Sequence, residues 1–138
     1  MNADTTEILL RFGLAIVIIG VAAFAYWLIN QRLLMRARNH VFTLFSTLPN
    51  KPVLVYFTTP DCAPCKTIQR PAINRISNLL GEQVEVIEID ATQRPDLAKV
   101  WGVMSVPTTF VLDASGEARY VNNGVARAEK LLEQIQTL

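Results

Sequence analysis

Cys62 and Cys65 are the only cysteines among 138 residues, and Ala63 and Pro64 separate them. Such a pair can exchange electrons as a dithiol, contribute to a metal site, or close a small structural disulfide. Each option needs different neighbours. Structural zinc takes four Cys or His ligands, and beyond the two cysteines this chain offers only His40. A bridge across two intervening residues closes so short a loop that it restrains the unfolded chain very little. Electron exchange needs a thiolate, and therefore a place where negative charge is favoured.

The elements around the pair supply one. Residues 53–57, VLVYF, form a continuous apolar run of the kind buried on both faces of a sheet. A helical pattern follows over residues 63–80. Cys62 thus falls where a strand turns into a helix, at the carboxyl edge of the sheet, where α/β sites collect. Free N–H groups and the dipole of the first helical turn favour a thiolate there. Cys65 lies on the same side of that turn. Pro64 presets φ for helix initiation and has no N–H to leave unsatisfied. Asp61, directly before Cys62, is expected to cap the helix. As an anion beside the thiol it would also oppose thiolate formation.

The remaining elements frame this pair in a sheet. Residues 84–90, VEVIEID, read as a second strand, and residues 108–112 and 119–121 as a hairpin around the turn at 113–116. Helical patterns cover residues 95–101 and 126–138. A βαβ unit followed by a hairpin and a helix predicts an α/β fold: a mixed sheet of about four strands with helices on both faces. Ahead of it, Leu34, Val41, Leu44, Phe45 and Leu48 recur at helical spacing.

The amino-terminal region has another character. Residues 12–29 carry no charge, and as a helix they would span roughly 27 Å, close to the ~30 Å hydrocarbon core of a bilayer. Tyr26 and Trp27 stand where aromatic rings favour the interface. Asp4 and Glu7 occupy the place of a positive region in a secretory signal, so a retained single-pass anchor is expected. The expected organisation is a short segment at 1–11, a transmembrane helix at 12–30, a basic juxtamembrane segment at 31–39 and a folded domain at 40–138. Arg32, Arg36 and Arg38 follow the apolar run and Arg11 precedes it. That bias places the domain on the cytoplasmic side, the reverse orientation being the alternative. A net charge of +1 and the lack of a basic stripe argue against nucleic acid as a partner.

Taken together, VLVYFTTPDCAPCK, then WGVMSVPTTFVLD, then Gly124 before the last helix resemble the thioredoxin family over about residues 40–138. The resemblance implies a thioredoxin-like fold and a thiol–disulfide oxidoreductase whose redox-active pair is Cys62 and Cys65, with no other cofactor and no metal. Cys62 would attack a client disulfide and Cys65 would resolve the mixed disulfide. It also implies a cis Val106–Pro107 bond, with the Val106 backbone pairing with an extended substrate. Disulfide-containing proteins would be the clients, and another protein or dithiol the electron donor.

Lowering a thiol pKa from ~8.5 to ~7 raises the thiolate fraction at pH 7 about sixteenfold, and the loss of basicity takes back about fivefold. Geometry must therefore carry more of the rate than pKa does. Several residues depart from the family pattern. Tyr56 stands where thioredoxins carry a buried Asp, and Val86 near their basic partner. Thr58 and Asp61 replace the two usual tryptophans, and Pro71 lies six residues after Cys65 where five is usual. A buried Tyr is a poor base at neutral pH. These departures motivate an alternative: a thioredoxin-fold binding or assembly subunit of a larger membrane complex.

Overall fold

The structure, a computed structural model, describes residues 3–40 and 50–138, with side chains over 7–35 and 50–138. The helical face expected to continue through residues 41–48 lies outside the described residues. Two compact units divide the chain, Met1–Arg32 and Leu33–Leu138.

Helix α1 (Ala3–His40) is continuous from the amino-terminal segment through the apolar run into the basic segment. Its stretch Glu7–Met35 reaches a mean hydropathy of 2.5 over its most apolar 18 residues and is long and apolar enough to cross a membrane. Leu10, Ile16, Ile19 and Phe24 are exposed along it, and Phe24 stacks on Trp27 with ring centroids 5.9 Å apart. A water-facing helix of this composition would carry a large unpartnered apolar surface, which bilayer tails would solvate.

In the second unit the order is β1 (Val53–Thr58), α2 (Arg70–Leu80) entered through a wider turn at Cys65–Gln69, β2 (Glu85–Asp90), α3 (Pro95–Val100), β3 (Thr108–Leu112), β4 (Ala118–Asn123) and α4 (Ala128–Gln136). The sheet runs β2-β1-β3-β4. β1 pairs parallel with β2 and antiparallel with β3, and β3 pairs antiparallel with β4. This is the mixed four-stranded sheet that the apolar pattern implied, arranged as the family resemblance implied.

The two strand neighbours of β1 explain its composition. All six of its residues are buried, so alternate side chains must satisfy two different cores. Val53, Val55 and Phe57 join Leu97, Trp101, Phe110 and Leu112 on one face. There Trp101 meets Phe110 edge-on at 5.0 Å, geometry that favours the ring quadrupoles, and lies tilted against Phe57 at 6.0 Å. Leu54 and Tyr56 join Ile73, Ile76, Leu131 and both cysteines on the other.

The Trp101-Gly102-Val103 run turns out to be a helix stop. Val103 N–H bonds the Ala98 carbonyl (2.8 Å) and Gly102 N–H the Lys99 carbonyl (3.1 Å), the paired bonds of a Schellman cap. Gly102 has φ 70°, which costs glycine little. The stop seats Trp101 in the core and sends the chain towards Val106.

The β3–β4 hairpin is held by Asp113. Its carboxylate accepts hydrogen bonds from Ser115 N–H, Ser115 Oγ and Glu117 N–H, and it pairs with Arg119. Burial alone would raise the Asp113 pKa, but these donors outweigh it and hold the carboxyl below its ordinary value. The stabilisation is therefore present above the unfolded pKa of ~3.9 and is lost as pH falls through the lower folded value. Asp113→Ala should cost about 1–2 kcal/mol at pH 7. In urea midpoints measured at both pH values, the gap from the parent chain should narrow at about pH 3.

Candidate active site

β1 ends at Thr58, and the chain reverses through a turn in which Cys62 N–H bonds the Thr59 carbonyl at 3.2 Å. Helical residues begin at Ala63. Cys62 itself takes the cap position, its Sγ accepting the Cys65 N–H at 3.2 Å. This corrects the capping role expected of Asp61. The helix begins at Ala63, directly after Cys62, and the first-turn N–H of Cys65 is taken by Cys62 Sγ, while Asp61 is exposed. The consequence favours chemistry: an N–H aimed at Cys62 Sγ stabilises a thiolate more than a thiol.

Cys62 and Cys65 are joined as a disulfide, their Cα atoms 5.3 Å apart. Cys62 is 8% exposed and Cys65 1%, so Cys62 is the sulfur an incoming molecule meets first. Pro64, with φ −64°, sits in the first helical turn between them.

Beyond Cys65 the helix widens. Arg70 N–H bonds the carbonyl of Cys65, five residues back. That wider turn absorbs the one extra residue between Cys65 and Pro71, and single turns of this type occur mostly as bulges, often at functional sites. Pro71 then falls in the first turn of α2, where its missing N–H is tolerated.

Tyr56 is fully buried in the same core cluster as both cysteines, its hydroxyl 3.5 Å from the Cys65 carbonyl. Burial pushes its pKa above the ordinary value, and the nearby Glu88 charge acts in the same direction. Tyr56 therefore stays neutral near pH 7 and does not accept a proton from Cys65. In register with it on β2 stands Glu88, which is ion-paired with Arg70. The charged groups at this end of the sheet are thus a half-exposed ion pair.

The third segment of the site comes from before β3. The Val106–Pro107 peptide is cis, and Val106 packs against both core clusters, including the one that holds the cysteines. The Pro107 carbonyl accepts Gly124 N–H at 2.8 Å. Among the described residues no backbone hydrogen bond engages Val106. Beside it lies an apolar groove of about 220 Å³, lined by residues that include Thr59, Ala91, Ala98, Val103 and Met104.

Comparison with known proteins decides the family. The Thioredoxin family model matches residues 35–137. The chain belongs to the thioredoxin family. A thioredoxin-like protein of Synechocystis is 34% identical over 86 residues, covering 62% of this chain and 80% of its own length. The thioredoxin of Bacillus subtilis is 34% identical over 83 residues, covering 60% of this chain and 78% of its own. The chloroplastic thioredoxin Y of Oryza sativa is 29% identical over 106 residues, covering 75% of this chain and 62% of its own. Among solved structures, thioredoxin-2 of the malaria parasite superposes with a TM-score of 0.63 at 18% identity, over 67% of this chain and 87% of that one. A Halobacterium salinarum thioredoxin gives 0.57 at 26% identity, over 64% and 74%. Family membership and the Cys62–Cys65 disulfide together support thiol–disulfide oxidoreductase chemistry.

Sequence reasoning placed the cysteines and the Val106–Pro107 segment but passed over Gln69, Arg70 and Glu88. Their roles depend on partners far along the chain, and no local pattern marks them. Asp61 keeps one testable effect: an exposed carboxylate adjacent in sequence to Cys62 would oppose a thiolate there. Asp61→Asn should lower the Cys62 pKa, read from the ultraviolet absorbance of the thiolate during titration. An unmoved titration would remove Asp61 from the electrostatics of the site.

Proposed function

We propose that this protein is a membrane-tethered thiol–disulfide oxidoreductase that reduces disulfides in client proteins. The observation that carries this is the disulfide at a helix start, with Cys62, the less buried of the two cysteines, capped by an N–H and Cys65 fully buried behind it.

In the reduced form, the Cys62 thiolate attacks one sulfur of a client disulfide. A Cys62–client bond forms, the client S–S bond breaks, and the first client thiolate departs. Cys65, deprotonated, then attacks Cys62 Sγ; the Cys62–Cys65 bond forms and the second client thiolate leaves. Two electrons pass from the dithiol to the client, and an external dithiol or electron-donor protein restores them. The unengaged Val106 backbone and the apolar groove beside it support an extended polypeptide as the client, added by main-chain pairing. With Ala63-Pro64 between the cysteines, no intervening side chain donates a hydrogen bond to a thiolate, which favours the reducing direction over a strongly oxidising one.

Helix α1 supplies the tether, with residues 12–30 in the bilayer and 40–138 forming the redox domain. Arg32, Arg36 and Arg38 support a cytoplasmic position for that domain, where a reduced dithiol is maintained.

A second reading has its own observation: Tyr56 cannot serve as the proton acceptor that a buried acid would be, which fits a binding or assembly subunit with little turnover. Insulin reduction by the full chain in detergent micelles separates the two. Turnover should fall to background in Cys62→Ser, whereas Cys65→Ser should accumulate mixed disulfides that release client on reduction. A parent chain no faster than Cys62→Ser would leave the assembly reading standing.

The tether has a separate check. The chain should resist alkaline extraction from membranes, and protease should digest residues 40–138 only in vesicles whose cytoplasmic face is outward. Digestion in the opposite vesicles would reverse the orientation.

A further inference from the structure

Gln69 has no solvent exposure, although it lies one turn beyond Cys65 among residues that include Ala72, Ile73 and Ile76. Its amide is spent on one distant residue. Nε2 donates to the Ala126 carbonyl at 3.1 Å, and Oε1 accepts the Ala126 N–H at 2.7 Å. A buried primary amide is costly unless both its ends are satisfied. Here a side chain satisfies both polar groups of one backbone residue, as a neighbouring strand would. Of the side chains of this length, only glutamine both donates and accepts in that way: glutamate as carboxylate cannot donate, and methionine cannot donate and accepts only weakly.

The bonded residue ties the helix to the other half of the site. Ala126 lies in the link between β4 and α4, two positions after Gly124, whose N–H holds the Pro107 carbonyl at 2.8 Å. One connected path therefore runs from Cys65 to Gln69, across the amide to Ala126, back to Gly124 and on to Pro107. Val106 follows directly, with its backbone free for a client. A pair of directed hydrogen bonds adds to the apolar packing a constraint on both distance and orientation.

We propose that Gln69 is a positioning residue for disulfide exchange: its amide sets where the Val106–Pro107 segment lies relative to the Cys62–Cys65 pair, and so aligns a protein client with the attacking sulfur. This rests on the disulfide-exchange reading above. It separates two kinds of substrate. A polypeptide client must engage Val106 and Cys62 together, whereas a small aromatic disulfide needs only the sulfur.

The test uses the full chain in detergent micelles, with insulin and with a small aromatic disulfide as oxidants. In Gln69→Met, which keeps the length and volume but removes the amide, the KM for insulin should rise about tenfold with kcat within about twofold. The small-disulfide rate and the rate of Cys62 alkylation should stay within about twofold of the parent. Gln69→Asn, an amide one methylene too short for both bonds, should shift the insulin KM in the same direction and serves if the Met variant does not fold. An unchanged insulin KM, or a parallel loss on both oxidants, overturns the positioning role while leaving disulfide exchange intact. A parent chain that turns over neither oxidant overturns both.

Discussion

Strand β1 has no solvent-facing side, and that constraint governs the rest of the domain. With β2 on one edge and β3 on the other, every residue from Val53 to Phe57 is paired on both sides. Its side chains alternate between two cores, so every position from Val53 to Thr58 must be apolar or have its polar atoms satisfied nearby. Tyr56 meets this condition with a neutral hydroxyl. A carboxylate there would need a compensating charge or would give up its ionisation. The chain can leave such a strand only at its end, and it does so as the turn that presents Cys62.

From that point the site is built of three segments that share few sequence neighbours. The helix start provides the sulfurs and an N–H aimed at one of them. The capped end of α3 directs the chain through Gly102 towards Val106. The link after β4 fastens the second segment to the first, through Gly124 on one side and Gln69 on the other. Reactivity at a dithiol gains only modestly from thiolate fraction, because nucleophilicity falls as acidity rises. An arrangement that invests its buried hydrogen bonds in relative position is consistent with that arithmetic.

Much of this was readable before any coordinates. The continuous apolar run of β1, the turn residues around Asp113 and the spacing of the cysteines are local patterns, and local patterns specify local structure. The cap was misread for a reason of geometry: Asp61 and Cys62 both precede the helix, and which one reaches its N–H groups depends on where the turn from Thr59 closes. The offset of Pro71 was visible as an anomaly of count. Its accommodation in a wider turn was not, since backbone hydrogen-bond register has no signature in residue types.

The amino-acid sequence by itself determined the uncharged span of α1, the strand-to-helix junction and the dithiol placed on it, because each follows from composition or spacing within some twenty residues. Tertiary structure alone decided that Cys62 caps its own helix, that Tyr56 is held neutral beside Glu88 and Arg70, and that Gln69 is bound to Ala126. Those outcomes depend on how the backbone closes and on which groups meet across elements. For Gln69 the partner lies 57 residues away, a distance over which only the folded sheet and its helices bring two polar groups together.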